Sequence, residues 1–301
     1  MTVHDEDGDV PSQVSGRVVR EIPVEDAVSG LFGVARHAVL AAAAGIGAVL
    51  QNMPRREHGE PEGGRRGGGA ASLWALRQLG GAGLVAAQRT LGYRLINGDG
   101  VAPDPVEAFQ WLRQGAKGGD AECQYALAVL YADGRGVPEG KLQASVWYHK
   151  AADQGYALAQ YNLALLYATG DGVNADPEKA LYWYRRAAEQ NYPRALFNLA
   201  VMYESGAGIQ PDPDRANELY MKAATLGFVP ARFRLGEIYL EGPANSPNFA
   251  EAWFWFSLAA LGLPPGLDLE RAQQGRECAY ASMPLAEIEG ARKRLREAVA
   301  P

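Results

Sequence analysis

Catalysis or metal binding in this chain of 301 residues would have to start from four histidines and two cysteines. His4, His37, His58 and His149 are scattered, and none pairs with Cys123, Cys278 or a carboxylate at the short fixed spacings a zinc site uses. No Cys-x-x-Cys occurs, so no redox pair is built from neighbouring thiols. No Gly-x-Ser-x-Gly nucleophile turn is present. Gly67-Gly68-Gly69 lacks the following Lys-Ser/Thr of a phosphate loop. The run Gly170-Asp171-Gly172-Val173-Asn174-Ala175-Asp176 invites a calcium reading, but it recurs with Arg135 or Ala207 at the position where a ligand would be needed. Turn glycines explain it better. The residues therefore point to no catalytic group, no metal and no cofactor, and a hydrolase-like enzyme stands only as a second alternative.

The elements around these residues are repeated. In Ala157 to Tyr192 two short helices flank a glycine-rich turn. Stepping 36 residues either way carries Leu163-Ala164, Tyr167, Gly170-x-Gly172, Ala180 and Trp183 onto Leu127-Ala128, Tyr131, Gly134-x-Gly136, Ala144 and Trp147, and onto Leu199-Ala200, Tyr203, Gly206-x-Gly208, Ala216 and Leu219. Further copies lie at Leu91 to Trp111 and Leu235 to Trp255. A fixed period of this length marks a solenoid, in which each unit packs only on its neighbours. The expected fold is all-α: an α/α superhelical solenoid of five helix-turn-helix repeats at about 85–120, 121–156, 157–192, 193–228 and 229–262, with capping helices at about 268–300.

The first helix of each copy, helix A, should close on Gly98, Gly134, Gly170, Gly206 or Gly242, where a left-handed residue satisfies the last carbonyls. Helix B should start from an aspartate cap: Asp104-Pro105-x-Glu107 fits a capping box, and Asp176-Pro177 and Asp212-Pro213 repeat the logic. Copy two has Glu139-Gly140 there and should start less firmly. Copy five has Gly242-Pro243-Ala244, and its turn should take another path. The tryptophans should fill the layers between repeats. Ala71 to Leu79 reads as an N-terminal cap helix with Trp74 pointing inward.

The first 70 residues differ. Residues 1–25 are acidic and read as disordered. Residues 26–53 read as an alanine-rich amphipathic helix, with Leu31, Ala35, Val39, Ala42 and Ile46 on one stripe. Arg36 and His37 leave only Ala38 to Leu50 uninterrupted, short of the about 20 apolar residues a span needs. Docking on the solenoid, on a partner or on a membrane all remain open. Residues 54–70 read as a Gly/Pro/Arg-rich linker. The net charge of −6 argues against nucleic acid as the main partner. Two cysteines and an acidic start favour a reducing, cytoplasmic setting, with peripheral or integral inner-membrane association through residues 26–52 as the alternative.

Copy three carries Ala157, Ala159-Gln160, Leu163, Tyr167, Gly170, Gly172-Val173, Asp176, Lys179-Ala180, Trp183-Tyr184, Ala187-Ala188 and Gln190. This pattern resembles the Sel-1-like repeat, a relative of the tetratricopeptide repeat. The resemblance implies a right-handed α/α array serving as a bacterial protein-interaction scaffold or adaptor, with helix A on the concave side. Residues equivalent across copies then form rows along that side: an aromatic row of Tyr125, Tyr161, Phe197 and Phe233, and a polar row with Asn162, Asn198 and Arg234. Arg194 lies one turn before Asn198, on the same helix face. These eight are the expected partner-binding groove for a peptide or helix, with a partner carboxylate near Arg194 and Arg234. The alternatives are that the asparagines bond to neighbouring repeats and the rings are core, or that helix 26–52 occupies the groove itself.

Overall fold

The computed structural model describes residues 68–242 and 246–300. All described residues belong to one compact unit of the chain. The expectations for residues 1–53 therefore lie outside the described residues, as does the linker up to residue 67.

The described residues form helices throughout. Helix α1 (Gly68–Gly81) leads into five pairs: α2 (Val85–Asn97) with α3 (Pro105–Lys117), α4 (Ala121–Asp133) with α5 (Lys141–Asp153), α6 (Ala157–Thr169) with α7 (Pro177–Glu189), α8 (Pro193–Ser205) with α9 (Pro213–Thr225), and α10 (Val229–Glu241) with α11 (Phe249–Gly262). Helices α12 (Leu267–Ser282) and α13 (Leu285–Val299) follow. From α1 to α12 each helix packs on the next, and α12 and α13 both pack on α11. This is the all-α array expected from the period. No described helix is long and apolar enough to cross a membrane.

The turns show why the glycines recur. Gly98, Gly134, Gly170 and Gly206 sit in the left-handed region and close helices α2, α4, α6 and α8. The second glycine serves a different need. A Cβ on Gly172 would stand 2.2 Å from Cβ of Lys141, and one on Gly136 would stand 2.1 Å from the Pro105 carbonyl oxygen. Each turn thus seats its second glycine on the start of the preceding repeat's B helix. Gly100, the first of the series, meets nothing within 4 Å. Copy five departs as expected: Gly242 has φ 71 and ψ 144, outside the left-handed helical region. Its length is nevertheless kept, because Asn248 N–H donates to the Tyr239 carbonyl at 2.9 Å, as Asp176 does to Tyr167 and Asp212 to Tyr203.

The B helices are capped by Asp104, Asp176, Asp212 and Asn248 side chains, while Gly140 offers none. The capping box at Asp104 is only half made. Glu107 turns outward to Arg77 and the Trp111 indole, and the Asp104 N–H bonds the Leu95 carbonyl instead. Two further corrections concern α1. It begins at Gly68, inside the stretch read as linker. Trp74 points out rather than in, and Leu73 is buried in its place. The cause is register. Gln88 donates from its side chain to the Gly80 carbonyl, as Gln124 does to Ala116, so α1 stands where a B helix of a preceding repeat would stand. Trp74 then corresponds to the outward Gln110, one residue short of the Trp111 position.

Leu91, Leu127, Leu163, Leu199 and Leu235 are all buried and define one continuous row. Trp183 and Trp255 are buried, while Trp111 and Trp147 are partly covered. Only Ala291 of α13 is buried, so its charged faces meet water as a terminal helix requires.

Candidate functional site

The helix-A face is built on a buried amide ladder. Gln124 in α4 donates to the Ala116 carbonyl at 3.2 Å, and Gln160 in α6 to the Ala152 carbonyl at 3.1 Å. Each carbonyl belongs to the end of the preceding B helix. Each glutamine in turn accepts at 2.8 Å from a glutamine at the end of its own repeat's B helix, Gln154 and Gln190. Buried amides are tolerated because both ends find partners. In copy four Leu196 fills the slot, and in copy five Arg232 Nε reaches the Ala224 carbonyl at 3.1 Å. Cys123, Ala159, Ala195 and Ala231 beside it are fully buried. Burial pushes the Cys123 thiol well above its ordinary value, consistent with an inert small core residue.

The aromatic row proves to be interior. Tyr125 packs on Tyr148 and Tyr156 with ring centroids 5.8 and 5.2 Å apart, and Tyr161 repeats this on Tyr184 and Tyr192 at 5.9 and 5.2 Å. Phe197 packs on Tyr220 and Phe228, and Phe233 on Phe256. One ring of each trio comes from helix A, one from its own B helix and one from the residue that begins the next A helix. Tyr125, Tyr161 and Phe197 are buried, and Phe233 is partly covered. The Tyr125 hydroxyl is buried without a hydrogen-bond partner among the described residues.

The polar row is divided. Asn162 donates to the Leu158 carbonyl of its own helix, and Asn198 donates to the Tyr184 hydroxyl of the preceding repeat at 3.0 Å. Arg234 does not wait for a partner's carboxylate. It is buried and paired with Glu204 and, at 3.1 Å, with Glu237. Tyr220 adds a 2.7 Å bond to Glu204, and Arg271 of α12 reaches Glu237 at 3.7 Å. Burial alone would lower the Arg234 pKa, but its two carboxylates outweigh that and raise it. This network ties copies four and five to the cap. Arg194 differs: it stays partly exposed beside Tyr161 and Tyr192 and forms no ion pair with a described carboxylate. Burial raises the Tyr192 pKa to about 12, against the opposing pull of the Arg194 charge.

The remaining candidates for chemistry are accounted for. Asp171 pairs with Lys141 at 3.4 Å and Asp176 caps α7, so the acidic turn is spent on structure. His149 bonds Asp153 at 2.9 Å and lies edge-on to Trp183. Among the described residues no three His, Cys, Asp or Glu cluster as metal ligands.

The Sel1 repeat family matches residues 85–120, 121–156, 157–192, 193–228 and 229–262. The protein belongs to the Sel1 repeat family. Such repeats typically mediate protein interactions. A solved structure of c5321, a protective antigen of uropathogenic Escherichia coli strains with an SLR fold, is similar at 29% identity and a TM-score of 0.61 over 76% of this chain. The match spans 52% of that protein, about half its length. A Sel1 repeat protein from Oxalobacter formigenes is similar at 28% identity and a TM-score of 0.56, over 70% of this chain and 100% of that one. A search of the curated proteins finds no match.

Proposed function

We propose that this Sel1 repeat protein is a non-enzymatic scaffold that binds a partner peptide or helix on its helix-A face, with recognition centred on Arg194. The observation that carries the reading is the contrast between two arginines of that face. Arg234 is already neutralised by Glu204 and Glu237, whereas Arg194 keeps an accessible guanidinium without a carboxylate among the described residues. A guanidinium held beside aromatic rings suits a planar, bidentate carboxylate on an acidic side chain or a chain terminus. The buried rings and asparagines hold the platform rather than touch the guest.

The test is chemical crosslinking of the native protein with mass spectrometry, followed by capture of the identified partner. Arg194→Glu should lose that partner while keeping its melting temperature. Undiminished capture by a folded Arg194→Glu protein would rule out this face.

A further inference from the structure

The outer face of the B helices presents a second surface, which the helix-A proposal does not use. Positions 2, 6, 9 and 13 of each B helix fall within a narrow arc, since residues three and four apart share a face. On that arc Trp74 of α1, Val106 of α3, Leu142 and Val146 of α5, and Tyr182 of α7 are between 49% and 65% exposed. Single exposed apolar residues are ordinary, but a run of them at equivalent positions of adjacent repeats forms a patch, and patches mark contact surfaces. The patch has a definite end. In α9 the corresponding residues are Asp214 and Glu218, and Glu218 is engaged by Arg215 at 2.8 Å.

The cations beside the patch are the second observation. Lys150 lies over the Trp147 ring at 4.2 Å. Arg186 donates to the Tyr182 hydroxyl and Arg185 to the Tyr203 hydroxyl, both at 2.9 Å. Arg113 is exposed at the position Arg185 holds. None of these four forms an ion pair with a described carboxylate. Aromatic rings and phenols fix the side chains without cancelling their charge. The exposed face of copies one to three therefore joins an apolar stripe to oriented positive charge that outnumbers the exposed Asp153, Glu178 and Glu189 of the same faces, on a protein whose net charge is −6. Complementarity of sign calls for an acidic occupant, and the stripe calls for one with an apolar side.

We propose that this outer face of α1, α3, α5 and α7 docks an acidic amphipathic helix of a partner protein. An anionic membrane surface is the competing occupant, and the experiment separates the two. Fluorescence anisotropy of the full chain would use a labelled helical peptide of about 20 residues with leucines at i, i+4 spacing and glutamates elsewhere. Vesicles of phosphatidylglycerol would be run in parallel. Saturable peptide binding is expected, weakened by salt and lowered about tenfold or more by Leu142→Glu with Val146→Glu, and again by Arg185→Glu with Arg186→Glu. Glu218→Gln, beyond the end of the patch, should bind as the parent does. The residues altered are exposed, apart from the partly covered Arg186, and unchanged circular dichroism would confirm folding of both double variants. Absent peptide binding, equal binding by either double variant, or binding to vesicles but not to peptide would overturn the proposal.

Discussion

Along the glutamine and asparagine rows, copies two and three carry neutral amides, whereas copy five carries arginines at the same two rows, one of them paired with a carboxylate of copy four. At 121–192 the seam consists of Gln124, Gln154, Gln160 and Gln190, with Asn162 satisfied within its own helix. At 193–282 the glutamine slot holds Leu196 and then Arg232. The row of Asn162 becomes Arg234, enclosed by Glu204, Glu237 and Arg271. The period thus preserves a slot rather than a residue type: its occupant bonds the preceding helix end in copies two, three and five, and Leu196 only packs there. The two seams should fail differently. A neutral amide removed leaves a modest deficit, but a buried cation removed leaves two carboxylates facing each other in low dielectric.

The largest expected effect follows from that difference. Arg234→Met leaves Glu204 with only Tyr220 and Glu237 with only the more distant Arg271, and should destabilise copies four and five by about 3–5 kcal/mol, seen as an early transition in calorimetry. Joint replacement with Glu204→Gln and Glu237→Gln should recover most of the loss. If Arg234→Met alone melts as the parent does, the charged seam is not structural.

A second comparison sets the first turn against the third. Gly100→Ala and Gly172→Ala both place a side chain at positive φ, 71 and 77, at about 1–2 kcal/mol each. Gly172→Ala also drives its Cβ into Lys141 and should cost clearly more than Gly100→Ala in matched thermal melts. Equal costs would mean that the turn does not rest on the preceding helix.

The smallest effect concerns the N-terminal seam. The bond from Arg77 holds the Glu107 carboxyl below its usual range, with the Trp111 indole adding to the effect. A depressed folded-state pKa adds stability above the ordinary glutamate value, and this is lost as pH falls through the folded value. The melting difference between the parent and Glu107→Gln should therefore shrink on acidification. A difference that stays constant down to strong acid would remove Glu107 from the seam.

Much of this was readable in the chain. Repeat length, helix-closing glycines and aspartate caps are local features, and the turn at Gly242 announced its own departure. Contacts across repeats were less readable. The rings of Tyr125 and Tyr161 looked like a groove because the residues that cover them, Tyr148 with Tyr156 and Tyr184 with Tyr192, lie 23 to 31 positions on. The partner of Arg234 lies 30 residues back. One signal was available: Glu204 replaces Ala132 and Ala168 in its row in the copy just before the one where Arg234 replaces asparagine. Trp74 was not readable because one helix before the first full repeat carries no register of its own, and only the Gln88 bond to Gly80 shows α1 standing as a B helix.

The central claim is that equivalent polar residues hold neighbouring repeats together. A double-mutant cycle on Asn198 and Tyr184, which bond across copies four and three at 3.0 Å, read by denaturant unfolding of Asn198→Ala, Tyr184→Phe and the pair, tests it most directly. The account predicts a coupling of about 0.5–3 kcal/mol, as expected for side chains in one buried network. Strict additivity of the two single changes would contradict it.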